Sequence, residues 1–135
     1  MKNIGVWLDK EKAQIITIEN GKETLKTIVS EVEDFNIHGG SGTRLKGGPQ
    51  DVVQDSKYLE REKHQLKRYF KNISEEIKDA DAIVLFGPAE AYLKFQKELQ
   101  ENYQHLNIKI KGAINADSMT DNQTIALVRD FFKNQ

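Results

Sequence analysis

At 135 residues the chain fits one domain of common size, able to bury most of the apolar surface it would expose unfolded. Twenty basic against twenty-one acidic side chains leave a net charge of −1, so nucleic-acid binding cannot rest on bulk charge and needs a local patch. The lack of cysteine excludes disulfides and thiolate metal sites and points to a reducing, cytoplasmic setting. No apolar run approaches the roughly 18 residues of a membrane span, and the N-terminus lacks the apolar stretch of a secretory signal, so no membrane partner is expected.

Ile4 to Leu8 is a short apolar run of strand formers, ended by the polar turn Asp9-Lys10-Glu11-Lys12. Ala13 to Ile18 resumes it with Ile15, Ile16 and Ile18. Asn20-Gly21 then gives the strongest short hairpin signal, because both central residues of a tight reversed turn need positive φ. Glu23 to Val32 follows, with Leu25, Thr27 and Val29 on one side of the pleat and Ile28 and Val32 on the other. Three strands joined by short turns make an antiparallel meander.

Asn36 to Gln50 holds five of the nine glycines and shows no hydrophobic periodicity. Glycine populates both signs of φ, so this density predicts a flexible loop, over about 34–56. Loops of that length inside a compact domain are usually functional or disordered. The helix that follows carries two stripes. Leu59, Leu66, Phe70, Ile73 and Ile77 fall within roughly 60° of each other at 3.6 residues per turn, a face for the core. Lys57, Arg61, His64, Arg68 and Lys71 lie roughly 160° away. A basic line of this kind faces water or a phosphate backbone, and it begins a few residues after the glycine loop, so loop and line are expected to face one partner.

Asp79-Ala80-Asp81 breaks the pattern before the unbroken apolar run Ala82 to Gly87, which suits a strand covered on both faces by helices. Pro88 is expected at the first position of the next helix, whose stripe is Tyr92, Phe95, Leu99 and Tyr103. Ile108, Ile110, Gly112 and Ile114 alternate as a short strand. Thr120 with Gln123 fits a capping box opening the last helix, marked by Ile125, Val128, Phe131 and Phe132. Trp7 belongs in or beside the core. His38, His64 and His105 lack metal-ligand spacing, and Gly39-Gly40-Ser41-Gly42 lacks the lysine of a nucleotide-binding loop, so neither a metal nor a cofactor is expected. The order βββ, long loop, αβαβα predicts a single α/β domain with a mixed five-stranded sheet, the order of the ribonuclease-H-like architecture. Right-handed crossovers would set the second and third helices on opposite faces or on one.

Lys46-Gly47-Gly48-Pro49-Gln50, followed by Tyr58-Leu59-Glu60-Arg61-Glu62-Lys63, resembles the middle, Gly-Gly-Gln domain of archaeal and eukaryotic class-one peptide release factors. Pelota-type rescue factors share that domain without the tripeptide. The chain is also similar to small bacterial proteins labelled translational machinery proteins, in Val6-Trp7-Leu8-Asp9, Phe86-Gly87-Pro88-Ala89 and Thr120-Asp121-Asn122-Gln123. The resemblance spans nearly the whole chain and implies a ribosome- or tRNA-associated domain acting in rescue or stress, with no DNA partner. Carried over, Gly47, Gly48 and Gln50 would approach the peptidyl-tRNA ester, while Arg44, Lys46, Lys57, Arg61, His64, Arg68 and Lys71 would touch phosphates. Pro49 departs from the family pattern by parting glycine from glutamine, and proline fixes φ and removes an amide donor.

Two other functions compete. Ribonuclease-H-like nucleases hold Mg²⁺ with carboxylates, one from the first strand, and here Asp9 with Glu62, Asp117 or Asp121 would supply them. Each also has a structural explanation, as a turn former, a solvated charge or a complement to a helix dipole. A non-catalytic protein-binding module would use the glycine segment only as a spacer.

Overall fold

The computed structural model describes residues 1–30 and 48–134, with side chains for 1–30 and 63–134. Its elements in chain order are strands β1 (Lys2–Leu8), β2 (Lys12–Glu19) and β3 (Lys22–Val29), helix α1 (Gly48–Ile77), strand β4 (Ala82–Gly87), helices α2 (Ala91–Asn102) and α3 (Gln104–Asn107), strand β5 (Ile110–Asn115) and helix α4 (Asp121–Lys133). The described strands form one five-stranded sheet ordered β3-β2-β1-β4-β5. β1 pairs antiparallel with β2, and β2 with β3, while β4 runs parallel to both β1 and β5. The expected α/β architecture with a mixed five-stranded sheet is therefore the one adopted. The β2–β3 hairpin turns at Asn20 (φ 55°) and Gly21 (φ 80°), the paired positive angles that a two-residue reversed turn requires.

The two helical layers lie on opposite faces of the sheet, which settles the alternative left open by the element order. Ile4, Val6 and Leu8 of β1, Ala13 and Ile15 of β2, and Ile83 and Leu85 of β4 meet Phe70, Ile73 and Ile77 of α1 and Phe95 and Leu99 of α2. Trp7, Ile16, Val84 and Phe86 point the other way, onto Val128 and the half-buried Ile125, Phe131 and Phe132 of α4. Side chains alternate across a strand, so a central strand covered twice must be apolar at every position. β4 meets that demand, being buried from Ala82 to Gly87. The edge strand β3 is held to both layers by ion pairs, Lys26 with Glu76 of α1 and Glu23 with Arg129 of α4.

Several boundaries differ from expectation: β3, expected to run to Val32, ends at Val29, and Val32 lies outside the described residues. α1 begins at Gly48, so 48–56, expected in the loop, are helical, with Pro49 in the first turn where a missing amide costs nothing. The glycines and Pro49 give this stretch a loop signal, and it carries no apolar stripe for periodicity to find. Pro88 is not the first residue of α2, which starts at Ala91 with Glu90 as its cap. Gly87 O accepts the Ala116 amide (2.8 Å) and Pro88 O the Asn115 side-chain amide (3.1 Å), which hold 87–88 along the sheet until the chain turns away. Ile108 is not in a strand. Its amide closes the short α3 turn onto Gln104 O (3.1 Å), and its side chain is 76% exposed. The capping box forms as expected, with the Gln123 amide donating to Thr120 Oγ1 (3.2 Å) and the Thr120 amide to Gln123 Oε1 (3.0 Å).

α4 sits close against β1 because Gly5 lies beneath it. A Cβ at this position would collide with both γ-methyl groups of Val128, a fully buried side chain. Gly5→Ala is expected to destabilise the fold by about 1–3 kcal/mol through overpacking. Urea denaturation should show a lower midpoint with an unchanged slope, and Val128→Ala in the same chain should recover part of the loss.

Candidate nucleic-acid interface

The carboxyl ends of β1, β4 and β5 carry a set of loops tied to one another. Asp9 Oδ1 accepts the amides of Glu11 (2.8 Å) and Lys12 (2.9 Å), the side-chain-to-backbone pattern by which aspartate builds a turn. The Tyr69 hydroxyl of α1 donates to Asp9 O (3.0 Å). Trp7 is buried, as anticipated, and its indole Nε1 donates to Ala116 O (3.0 Å), while Gln14 Nε2 donates to Asp121 Oδ1 (2.8 Å). Between these loops and the start of α2 lies a cleft of about 380 Å³, lined by Asp9, Lys10, Glu11, Leu66, Ala89, Glu90, Ala91 and Lys94. Among the described residues its two cations face three carboxylates.

A second depression, about 490 Å³, runs between α1 and the end of α2. Lys67, Arg68 and Lys71 form its α1 wall, and Glu98, Asn102 and Tyr103 form the other. The three cations are exposed. Two nearby carboxylates of α1 are already engaged, Glu75 by Lys78 (3.7 Å) and Glu76 by Lys26. Burial first, then the charges of Glu98 and Glu75, push the Tyr103 hydroxyl above its ordinary pKa, so it remains an O–H donor at neutral pH.

Of the residues singled out from the sequence, His64, Arg68 and Lys71 are exposed on α1, opposite the buried Phe70, Ile73 and Ile77, as the two stripes require. Arg68 and Lys71 come together in the groove. Lys57 and Arg61 are on the α1 backbone, with side chains outside the described set; Leu59 is placed likewise. Gly48 and Gln50 fall in the first helical turn, and Arg44, Lys46 and Gly47 lie outside the described residues. Lys67 is the cation that periodicity missed. At 100° per residue it falls between the two stripes, and only the position of α2 brings it into the groove. Of the carboxylates of the nuclease alternative, the Glu62 side chain lies outside the described set. Asp9 shapes its turn and Asp121 holds Gln14, and no group of three or more histidine or acidic side chains suited to a metal occurs among the described residues.

No protein-family model and no curated protein matches the sequence. Solved structures do match the fold. The chain is similar to Pelota from Archaeoglobus fulgidus (TM-score 0.59, 9% identity, covering 96% of this chain and 31% of that one). It is similar to Pelota from Thermoplasma acidophilum (TM-score 0.57, 18% identity, 96% and 32%) and to the archaeal translation termination factor aRF1 (TM-score 0.54, 9% identity, 98% and 39%). The chain thus spans about a third of the length of the proteins whose fold it shares, and at these identities the likeness is one of fold. No helix among the described residues is long and apolar enough to cross a membrane.

Tyr69 ties α1 to the β1–β2 turn, and its environment gives the tie a pH signature. Burial, with the Asp9 carboxylate second, pushes its hydroxyl far above the ordinary value of 10.0. The folded chain keeps this proton where the unfolded chain releases it, so the stability linked to it is whole below pH 10 and is lost as pH rises above that. Tyr69→Phe is expected to cost about 1 kcal/mol at neutral pH, from the lost hydrogen bond, and to flatten the alkaline decline. Denaturant titrations at neutral pH and above pH 10 measure both effects.

Proposed function

We propose that this chain is a release-factor-like domain that associates with the ribosome or tRNA in the cytoplasm, in rescue or stress. The observation that carries this is the fold, shared over 96–98% of the chain with two Pelota proteins and a translation termination factor. On this reading Lys57, Arg61, His64, Arg68 and Lys71, with Arg44 and Lys46, meet RNA phosphates, and Gly47, Gly48 and Gln50 approach the acyl end of peptidyl-tRNA.

Neutralising phosphates releases condensed counterions, so recovery with ribosomes in sedimentation should fall steadily with salt. Replacing Arg61, Arg68 and Lys71 together with glutamate is expected to abolish that recovery at moderate salt, and unchanged recovery would overturn the proposal. Ester hydrolysis is the finer claim. Proline at 49 removes one amide that could stabilise a developing oxyanion, so peptide release is expected to be slow. Gln50→Ala should lower the release rate by about tenfold or more, on the scale of removing a group that orients the attacking water. An unchanged rate removes Gln50 from the chemistry.

A further inference from the structure

The groove between α1 and the end of α2 has two unlike walls, and that asymmetry suits an unpaired strand of RNA. On one side Lys67, Arg68 and Lys71 offer three cations within about one helical turn. Neither the Lys67 nor the Lys71 ammonium is engaged by an ion pair with a described residue, whereas the carboxylates of the following turn, Glu75 and Glu76, are both paired. On the other side Glu98, Asn102 and the half-buried ring of Tyr103 present a carboxylate, an amide and an aromatic surface. A plain anion site would have no use for Glu98. A polynucleotide strand would, because its phosphates and its base edges project in different directions and carry opposite hydrogen-bonding needs.

We infer that this groove binds a single-stranded RNA segment, with the backbone along Lys67, Arg68 and Lys71 and the bases against Tyr103, Glu98 and Asn102. The aromatic and hydrogen-bonding wall needs bases free of pairing, which a single strand offers and a duplex does not. Sequence-tolerant affinity comes from cations along the backbone and from stacking on an aromatic ring, worth about 1–3 kcal/mol per base. Glu98 adds a preference. An ionised carboxylate only accepts hydrogen bonds, so it favours bases carrying an exocyclic amino group, such as cytosine, over uracil. The choice of RNA rests on the ribosome or tRNA reading above; the groove itself does not depend on the tip of α1.

The test is fluorescence anisotropy with the intact chain and labelled oligocytidylate, oligouridylate and a duplex RNA. Oligocytidylate should bind best and duplex worst. Lys67→Gln with Lys71→Gln is expected to weaken oligocytidylate binding about tenfold and to lower its salt dependence, since two phosphate contacts are lost. Tyr103→Leu, which keeps the apolar packing, should weaken it about fivefold or more. Glu98→Gln should narrow the gap between the two homopolymers. Duplex bound as tightly as single strand, or oligocytidylate binding unchanged in the double lysine variant, overturns the inference; if ribosome sedimentation of the parent remains salt-sensitive, the proposed function stands without the groove. A parent that binds oligocytidylate in the predicted way but never sediments with ribosomes supports the groove and overturns that function. An acidic peptide that binds the groove as tightly as oligocytidylate would also overturn the inference.

Discussion

The structure depends on β1 being covered twice. It lies in the middle of the sheet, antiparallel to β2 on one side and parallel to β4 on the other, with α1 and α2 over one face and α4 over the other. Alternate residues must therefore fill two cores at once, Ile4, Val6 and Leu8 in one and Trp7 in the second. The face toward α4 is closed by an absent side chain as much as by present ones, since Val128 fills the space a Cβ on Gly5 would need. Moving this strand by one residue would exchange its faces and put Trp7 where Val6 or Leu8 now pack.

Fixing β1 and β4 side by side and parallel gathers their carboxyl ends, and the hydrogen bonds from Tyr69, Trp7 and Gln14 then tie the loops there to helices and sheet. The same arrangement brings α1 and α2 onto one face, where Phe70 of one stacks obliquely on Phe95 of the other at 5.3 Å between ring centres. The groove opens on the outer side of the same pair of helices. A chain with almost no net charge thus gains a local cationic wall. The acids of the last turn of α1 pair with Lys26 and Lys78, and Lys67, Arg68 and Lys71 line the opening toward α2.

Much of this was legible beforehand because it depends on near neighbours in the chain. The Asn20-Gly21 hairpin, the Thr120–Gln123 capping box and the buried stripe of Phe70, Ile73 and Ile77 each follow from residues within a few turns of one another, and each is present. The misses have different causes, one distant in the chain and one local. Pro88 and Ile108 carry the right local signals for helix and strand, but hydrogen bonds from Asn115 and onto Gln104 fix those stretches otherwise. Asp9, which the sequence offers as a turn former as well as a metal ligand, builds the turn, and Asp121 accepts from the side chain of Gln14.

The sequence by itself determined the order of the strands and the three longer helices, the α/β class, and the exposure of His64, Arg68 and Lys71 on α1, since hydrophobic periodicity and turn chemistry are properties of short segments. Tertiary structure alone decided which side of the sheet each helix covers and that Lys67 joins Arg68 and Lys71 opposite Glu98 and Tyr103. The physical reason is that a site between two helices needs their relative position, and that position is set by packing among residues far apart in the chain, which no single segment encodes.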